Sequence, residues 1–377
     1  IDPGGGTQDL RGDMRPDKVS GRMLQPGRAA SSRPFNIGLL IPVSGALGIL
    51  GPSAYACARL ARDAWNDADG LGGRELRLTV LNSSETSTTL DAELEELIGN
   101  REVDALVALS NTEVCRRIAG LVNARVPLIY TPHFEGTGLP DWVEAIGETP
   151  ERQLLPAIDW MANRYRPKRW YLLGSDYCWP HWTHLFARSA IRATGAQLAG
   201  ERYVPIGARD FEQVVEDIRA SAADAVLISL VGADSIHFCR AFGSADMSRR
   251  ALRLSVCMEE NAVLAMGPEN TDGMYVAAAY FASLESDANG AFKERYHARF
   301  GDRAPTLNSL SQSVYEGFVH LSRLAGADAA LSGTPLDGVR AGSQRAFDAS
   351  VDPIFLGEVQ GLGIRVVETL GGSRPGS

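Results

Sequence analysis

The side chains best suited to chemistry fall into a few short runs. Cys178, His181 and His184 recur every third residue and offer atom types that zinc accepts. No fourth ligand keeps step with them, Pro180 begins a helix there, and Trp179 and Trp182 flank the imidazoles, so ordinary wedge residues are the expected reading. Ser44-Gly45-Ala46-Leu47-Gly48-Ile49-Leu50-Gly51 has the glycine content of a phosphate loop. It lacks both Gly-Lys-Ser/Thr and the Gly-x-Gly-x-x-Gly spacing. Its glycines therefore serve a turn, or let backbone come close to a small ligand. Neither a Gly-x-Ser-x-Gly elbow nor His-Glu-x-x-His occurs, so an enzymatic reading has no motif of its own.

Three other runs are rich in hydroxyls and aromatic rings. They are Ser110-Asn111-Thr112, Tyr130-Thr131-Pro132-His133-Phe134-Glu135-Gly136 and Gly174-Ser175-Asp176-Tyr177-Cys178-Trp179-Pro180. Hydroxyls and free helix N-terminal amides donate to a carboxylate or carbonyl oxygen, and Tyr177 with Trp179 supplies an apolar wall. Taken singly, Ser110 or Thr112 serves equally well as a helix cap. Taken together, the runs favour a pocket.

The elements that must position these runs follow from periodicity. Asn36–Pro42 reads as a buried strand, and Pro52–Asp69 as a helix with Ala54, Cys57, Ala61, Trp65 and Ala68 on one face. Strands over 75–82, 104–109, 127–130, 169–173, 197–204 and 225–230 then alternate with helices over 86–100, 113–123, 151–165, 180–194, 211–221 and 235–242. Strands follow over 254–256 and 273–280, two helices in succession over 289–300 and 309–325, and a strand pair over 354–359 and 363–370. Such alternation implies parallel sheets covered by helices on both faces. There are too many strands for one open sheet, so two doubly wound lobes are expected. In such sheets the carboxyl ends of the strands line the ligand crevice, and each of the three polar runs follows one.

Composition narrows the function class. The chain has 377 residues, 45% hydrophobic and 22% charged, which is enough to bury a substantial core. A net charge of −9 gives phosphate backbones no general attraction, so direct nucleic-acid binding is not expected. No run approaches the roughly 18 apolar residues of a membrane span. The odd set of Cys57, Cys115, Cys178, Cys239 and Cys257 contains no Cys-x-x-Cys pair and reads as separate buried thiols, which leans toward a reducing compartment. Residues 1–34 carry almost no apolar periodicity and read as a tail or linker.

From Asn36 to about Leu370 the chain resembles the type I periplasmic binding proteins, the family typified by Leu/Ile/Val-binding proteins, and in particular its urea and short-chain amide receptors. The resemblance rests on Asn36-Ile37-Gly38-Leu39-Leu40, Tyr130 with Phe134-Glu135-Gly136, Gly174 to Pro180, and Gly273-Met274-Tyr275-Val276 followed by Ala279-Tyr280-Phe281. It implies two doubly wound, three-layer α/β lobes joined by three hinge crossings near His133, Phe281 and Ala329. Lobe 1 would hold 35–132 and 282–328, and lobe 2 would hold 133–281 and 329–372. Carried over by position, Ser110 and Thr112 would meet the ligand from the first lobe. Tyr130, Pro132 and Glu135 would lie near the crossing, and Tyr177 and Trp179 would cover the ligand from the second lobe.

The implied function is a non-enzymatic receptor, without cofactor or metal, that traps a small polar ligand such as an amide, urea or an amino-acid-like molecule. It would serve the subunits of an ABC importer on the periplasmic or extracellular face, any leader having been removed before Ile1. The alternative is a cytoplasmic amide sensor that holds a regulatory antiterminator inactive; a two-lobed hydrolase or transferase stands behind it. The amide receptors carry Tyr-Pro-Thr-Pro-Tyr-Glu-Gly where this chain reads Tyr130 to Gly136. They carry Asn-Gln at Glu151-Arg152 and more tyrosine around Ser110. A lost phenol and an added imidazole change both the volume and the hydrogen-bond partners of the site.

Overall fold

The structure, a computed structural model, describes residues 33–324, 336, 338–340 and 352–370. Two sheets organise it. The first takes β1 (Phe35–Ile41), β2 (Leu76–Asn82), β3 (Ala105–Ala108), β4 (Leu128–Tyr130) and β5 (Val143–Ala145) in the order β2-β1-β3-β4-β5, every pairing parallel. The near-continuous apolar runs of β1, β3 and β4 are those of strands buried on both faces. Helix α1 (Gly51–Asp67) covers one face, placing Ala54, Cys57, Ala61 and Trp65 in a core with Ile37, Leu39 and Val107. Helices α2 (Ser87–Gly99) and α3 (Thr112–Val122) cover the other, with Leu90, Leu94, Ile118 and Val122 against Leu40, Leu106 and Leu128.

After α4 (Pro150–Arg164), the second lobe adds β6 (Arg169–Ser175), α5 (Cys178–Ala193), β7 (Gln197–Val204), α6 (Glu212–Ala220), β8 (Ala225–Ser229), α7 (Ala233–Ser244), β9 (Leu252–Ser255), α8 (Glu260–Met266) and β10 (Met274–Ala278). Helices α9 (Asp287–Phe300) and α10 (Ser309–Leu324) return to the first lobe, where Phe292, Tyr296 and Phe318 join the core of α1. Strands β11 (Ile354–Gln360) and β12 (Gly363–Leu370) close the second sheet, whose order is β12-β11-β10-β9-β8-β6-β7. Its last two strands are antiparallel and the rest parallel. Helices α4 and α5 lie on one face, through Ile158, Met161, Trp179 and Ala187, while α6, α7 and α8 lie on the other, through Val214, Phe238, Phe242 and Val263. The expected architecture of two helix-covered α/β lobes is thus observed.

Two expected boundaries are corrected. Strand β5 lies beyond the crossing expected near His133, yet it pairs with β4 through Leu128–Val143 and Tyr130–Ala145. The chain therefore stays in the first lobe until Gly147–Glu148. A Cβ on Gly147 would lie 2.0 Å from the carbonyl oxygen of Pro132, an approach only glycine permits. Leu336 and Val339, expected in the second lobe, belong to the first core because they pack among the side chains of α1 and α10. Ala329, where the third crossing was expected, lies outside the described residues, as does 1–32 of the expected tail. Strand β5 has three residues and helix α8 seven, too few for periodicity to reveal either one.

Candidate functional site

The carboxyl ends of the central strands in both sheets face one cavity between the lobes. Its atom-free space, mouth included, is about 620 Å³. That is the size of a small-molecule pocket, commonly about 300–1,000 Å³. The first lobe contributes Pro42, Leu47, Ser110, Thr112, Tyr130 and His133, among others; the second contributes Tyr177, Gly232, Ser235, Cys257, Glu259 and Asn261.

Local structure explains how the first-lobe groups are held. Strand β3 ends in Ser110-Asn111, and the Asn111 side chain accepts a hydrogen bond from Val114 N at 2.9 Å as the N-cap of α3. The first-turn amides of a helix have no acceptor within it, so those of Thr112 and Glu113 are left for another partner. The Tyr130 hydroxyl at the end of β4 donates to the Ser110 carbonyl at 2.9 Å and lies 3.3 Å from Thr112 Oγ1. Tyr130 is thereby spent on fixing the Ser110–Thr112 turn. Burial also pushes its phenol well above the usual range, so it stays neutral.

His133 and Tyr177 stand differently. Both line the cavity, and neither the His133 ring nor the Tyr177 hydroxyl finds a hydrogen-bond partner among the described residues. Burial drives the His133 imidazole down to about 4, with Glu148 opposing and Arg340 reinforcing the fall, so it is neutral at pH 7. The neutral ring offers one donor and one acceptor, and the phenol offers either. Nine apolar side chains, including Pro42, Leu47, Leu50, Leu109 and Leu310, fill most of the remaining wall. Among the described residues that line the cavity there is no lysine or arginine, and Glu259 is the single carboxylate.

Of the residues singled out in the sequence, Ser110, Thr112, Tyr130, Pro132 and Tyr177 line the chamber, whereas Trp179 and Glu135 do not. Trp179 is fully buried behind it, its ring centroid 4.2 Å from that of His133 and 6.5 Å from that of Tyr177. Glu135 is buried outside the chamber, 3.4 Å from the Arg116 guanidinium. Burial and then Glu135 raise the Cys178 thiol to about 12. His181 pairs with Asp176 at 2.8 Å and His184 with Glu201 at 3.0 Å, so the two imidazoles serve separate partners. His133, Asn111, Ser235, Cys257, Glu259 and Asn261 were not singled out. The first two sit inside the runs already recognised, and Cys257 to Asn261 follow β9 as the other runs follow their strands.

The lobes touch around the chamber. Ala233 N donates to Ala46 O at 2.8 Å, Asn261 Nδ2 to Ile49 O at 2.9 Å, and Leu310 N to Glu259 Oε2 at 3.1 Å. At the back, Glu148 on the first crossing receives Ala279 N from the second at 2.9 Å and Arg340 Nη1 at 3.0 Å.

Two lobes that meet over a small chamber, with hinge segments behind it, define a ligand-enclosing binding protein. The periplasmic binding protein family model matches residues 34–359, and the chain belongs to that family. Solved structures share the fold. A solute-binding protein of an ABC transporter from R. palustris, in complex with 4-hydroxybenzoate, is 17% identical with a TM-score of 0.74, covering 90% of this chain and 97% of its own. An amino acid ABC transporter substrate-binding protein from Pseudomonas fluorescens is 16% identical with a TM-score of 0.73, covering 92% and 97%. A fatty acid ABC transporter substrate-binding protein from Thermomonospora curvata is 16% identical with a TM-score of 0.76, covering 93% and 95%.

Proposed function

We propose that this protein is the solute receptor of an ABC importer, acting on the extracytoplasmic face of the membrane. It encloses one small molecule that has a carboxylate or amide head and a compact, mainly apolar body. The chamber carries this reading: two neutral groups without hydrogen-bond partners among the described residues, Tyr177 and His133, and the first turn of α3 converge within a wall that is otherwise largely apolar. The amides of Thr112 and Glu113, with the Ser110 and Thr112 hydroxyls, suit the oxygens of the head. The apolar wall suits a hydrocarbon body better than it suits urea, which has none. The neighbours named for hydroxybenzoate, amino acids and fatty acids share that combination of an acid head and a body of variable shape. No helix among the described residues is long and apolar enough to cross a membrane.

Thermal-shift screening against aromatic acids, aliphatic amino acids, fatty acids, amides and urea tests the proposal. A ligand at 100 times its Kd adds about 2.7 kcal/mol of stability. The expected result is stabilisation by one acid or amide class, lost in Tyr177→Phe and in Thr112→Val. Stabilisation by none of these classes, or a chemically altered ligand recovered from the complex, overturns it.

A further inference from the structure

Glu259 is the only carboxylate among the described residues lining the chamber, and its surroundings are those of a group that should carry a proton when the lobes are shut. It is 5% exposed. Its hydrogen bond to the first lobe is an uncharged one, from the Leu310 amide at the start of α10. The charged groups that bear on it are unhelpful. Glu260 is the next residue, and Glu148 at the first crossing also opposes ionisation. Arg340 favours ionisation but is committed elsewhere, to Glu148 Oε1, to Gln312 Oε1 and to Ser309 O. The neighbouring Cys257 thiol donates to Leu230 O. Across the chamber, His133 is neutral.

We propose that closing the lobes places a proton on Glu259, so that the receptor takes up its ligand together with a proton and lets it go as the pH rises. This rests on the reading that the lobes close over a ligand. Opening withdraws Leu310 and admits water to Glu259, returning it to an ordinary carboxylate that ionises near 4.5; in the closed form burial and Glu260 push it up to about 8. His133 works in the opposite sense, because opening lets it rise from about 4 toward 6.5 and take a proton. Between pH 4.5 and 6.5 the two linkages cancel. Between about 6.5 and 8 His133 no longer opposes Glu259, and through Glu259 each pH unit weakens closure about tenfold, about thirtyfold over the interval. A monoanionic ligand gains most, since a chamber without a cation would otherwise have to hold two negative charges.

The experiment needs no ligand. Infrared spectroscopy of the full chain with 13C-labelled glutamate reads the protonated carboxyl band, and small-angle scattering reads the radius of gyration, both from pH 5 to 9. The expected result is a component of the protonated-carboxyl band, missing from Glu259→Gln, that fades between about pH 7 and 9, while the component from Glu260 is common to both chains. The radius of gyration of the wild type should grow between about pH 6.5 and 8. In Glu259→Gln, which keeps an acceptor for Leu310, the growth should be absent above pH 6.5 and appear instead as the pH falls toward 4 and His133 charges. The absence of a Glu259 band at pH 6, or an identical change of radius in the variant, overturns the proposal. Failure of the ligand screen leaves these titrations untouched, so the two proposals fail separately.

Discussion

Ala46 in the loop after β1 and Ala233 at the start of α7 are joined across the cleft by an N–H···O bond of 2.8 Å. The residue before Ala233 explains how two backbones come this close. Gly232 has φ +56°, and a Cβ placed on it would lie 2.1 Å from the Ala46 carbonyl oxygen. Gly232→Val should therefore leave both cores folded but prevent full closure. The expected outcome is a larger radius of gyration at pH 6 than the wild type, with far-ultraviolet dichroism unchanged. An unaltered radius would show that the Ala46 loop yields without cost.

Trp179 supports the chamber without touching it. It is completely buried, packs on His133 and Tyr177, and its indole nitrogen has no hydrogen-bond partner among the described residues. Removing so large a side chain leaves a cavity, so Trp179→Ala should lower stability by about 3–5 kcal/mol. Urea unfolding measures this. A cost under about 1 kcal/mol would mean that the surrounding residues collapse into the space.

The difference between Trp179 as expected and as found shows where sequence reading stops. Runs such as Ile37 to Ile41 or Ala225 to Ser229 announce buried parallel strands because every residue is apolar or small, and polar runs at their carboxyl ends announce a crevice. That logic found Ser110, Thr112, Tyr130 and Tyr177. It could not tell which rings of Tyr177-Cys178-Trp179 face the chamber, because α5 starts at Cys178 and turns Trp179 toward its own sheet. Nor could it pair Gly232 with Ala46, or Glu259 with Leu310, since those contacts exist only once the lobes meet. The same limit explains the boundary at His133: β5 is recognisable only by its partner β4.

The hinge is braced by a buried ion pair. Arg340 and Glu148 are each under 10% exposed and lie 3.0 Å apart, and Glu148 also receives Ala279 N. Removing one partner strands a buried charge, a loss of about 3–5 kcal/mol. Arg340→Met should therefore destabilise far more than Arg340→Met combined with Glu148→Gln. Chemical denaturation of the two variants and the wild type completes the comparison. Equal losses would assign the cost to packing and not to the stranded carboxylate.

The acid limb of stability should belong in good part to His133. Its imidazole ionises near 6.5 in an unfolded chain and near 4 in the folded protein, where burial opposes the charge. A depressed folded value means that the unfolded state binds the proton first. Stability from this source is therefore complete above pH 6.5 and is lost as the pH falls toward 4. At about 1.4 kcal/mol per unit, the loss between pH 6.5 and 4.5 approaches 3 kcal/mol. His133→Gln fills the same place beside Trp179 without titrating. The raised carboxyls of Glu259 and Glu260, which work in the opposite sense, are common to both chains. The stability of the wild type should therefore fall relative to that of the variant by about 3 kcal/mol over those two units. Urea unfolding at pH 7 and pH 4.5 compares them. If the wild type and the variant lose stability in parallel, His133 has escaped its buried state by lobe opening before the chain unfolds, and acid then acts on closure in place of folding.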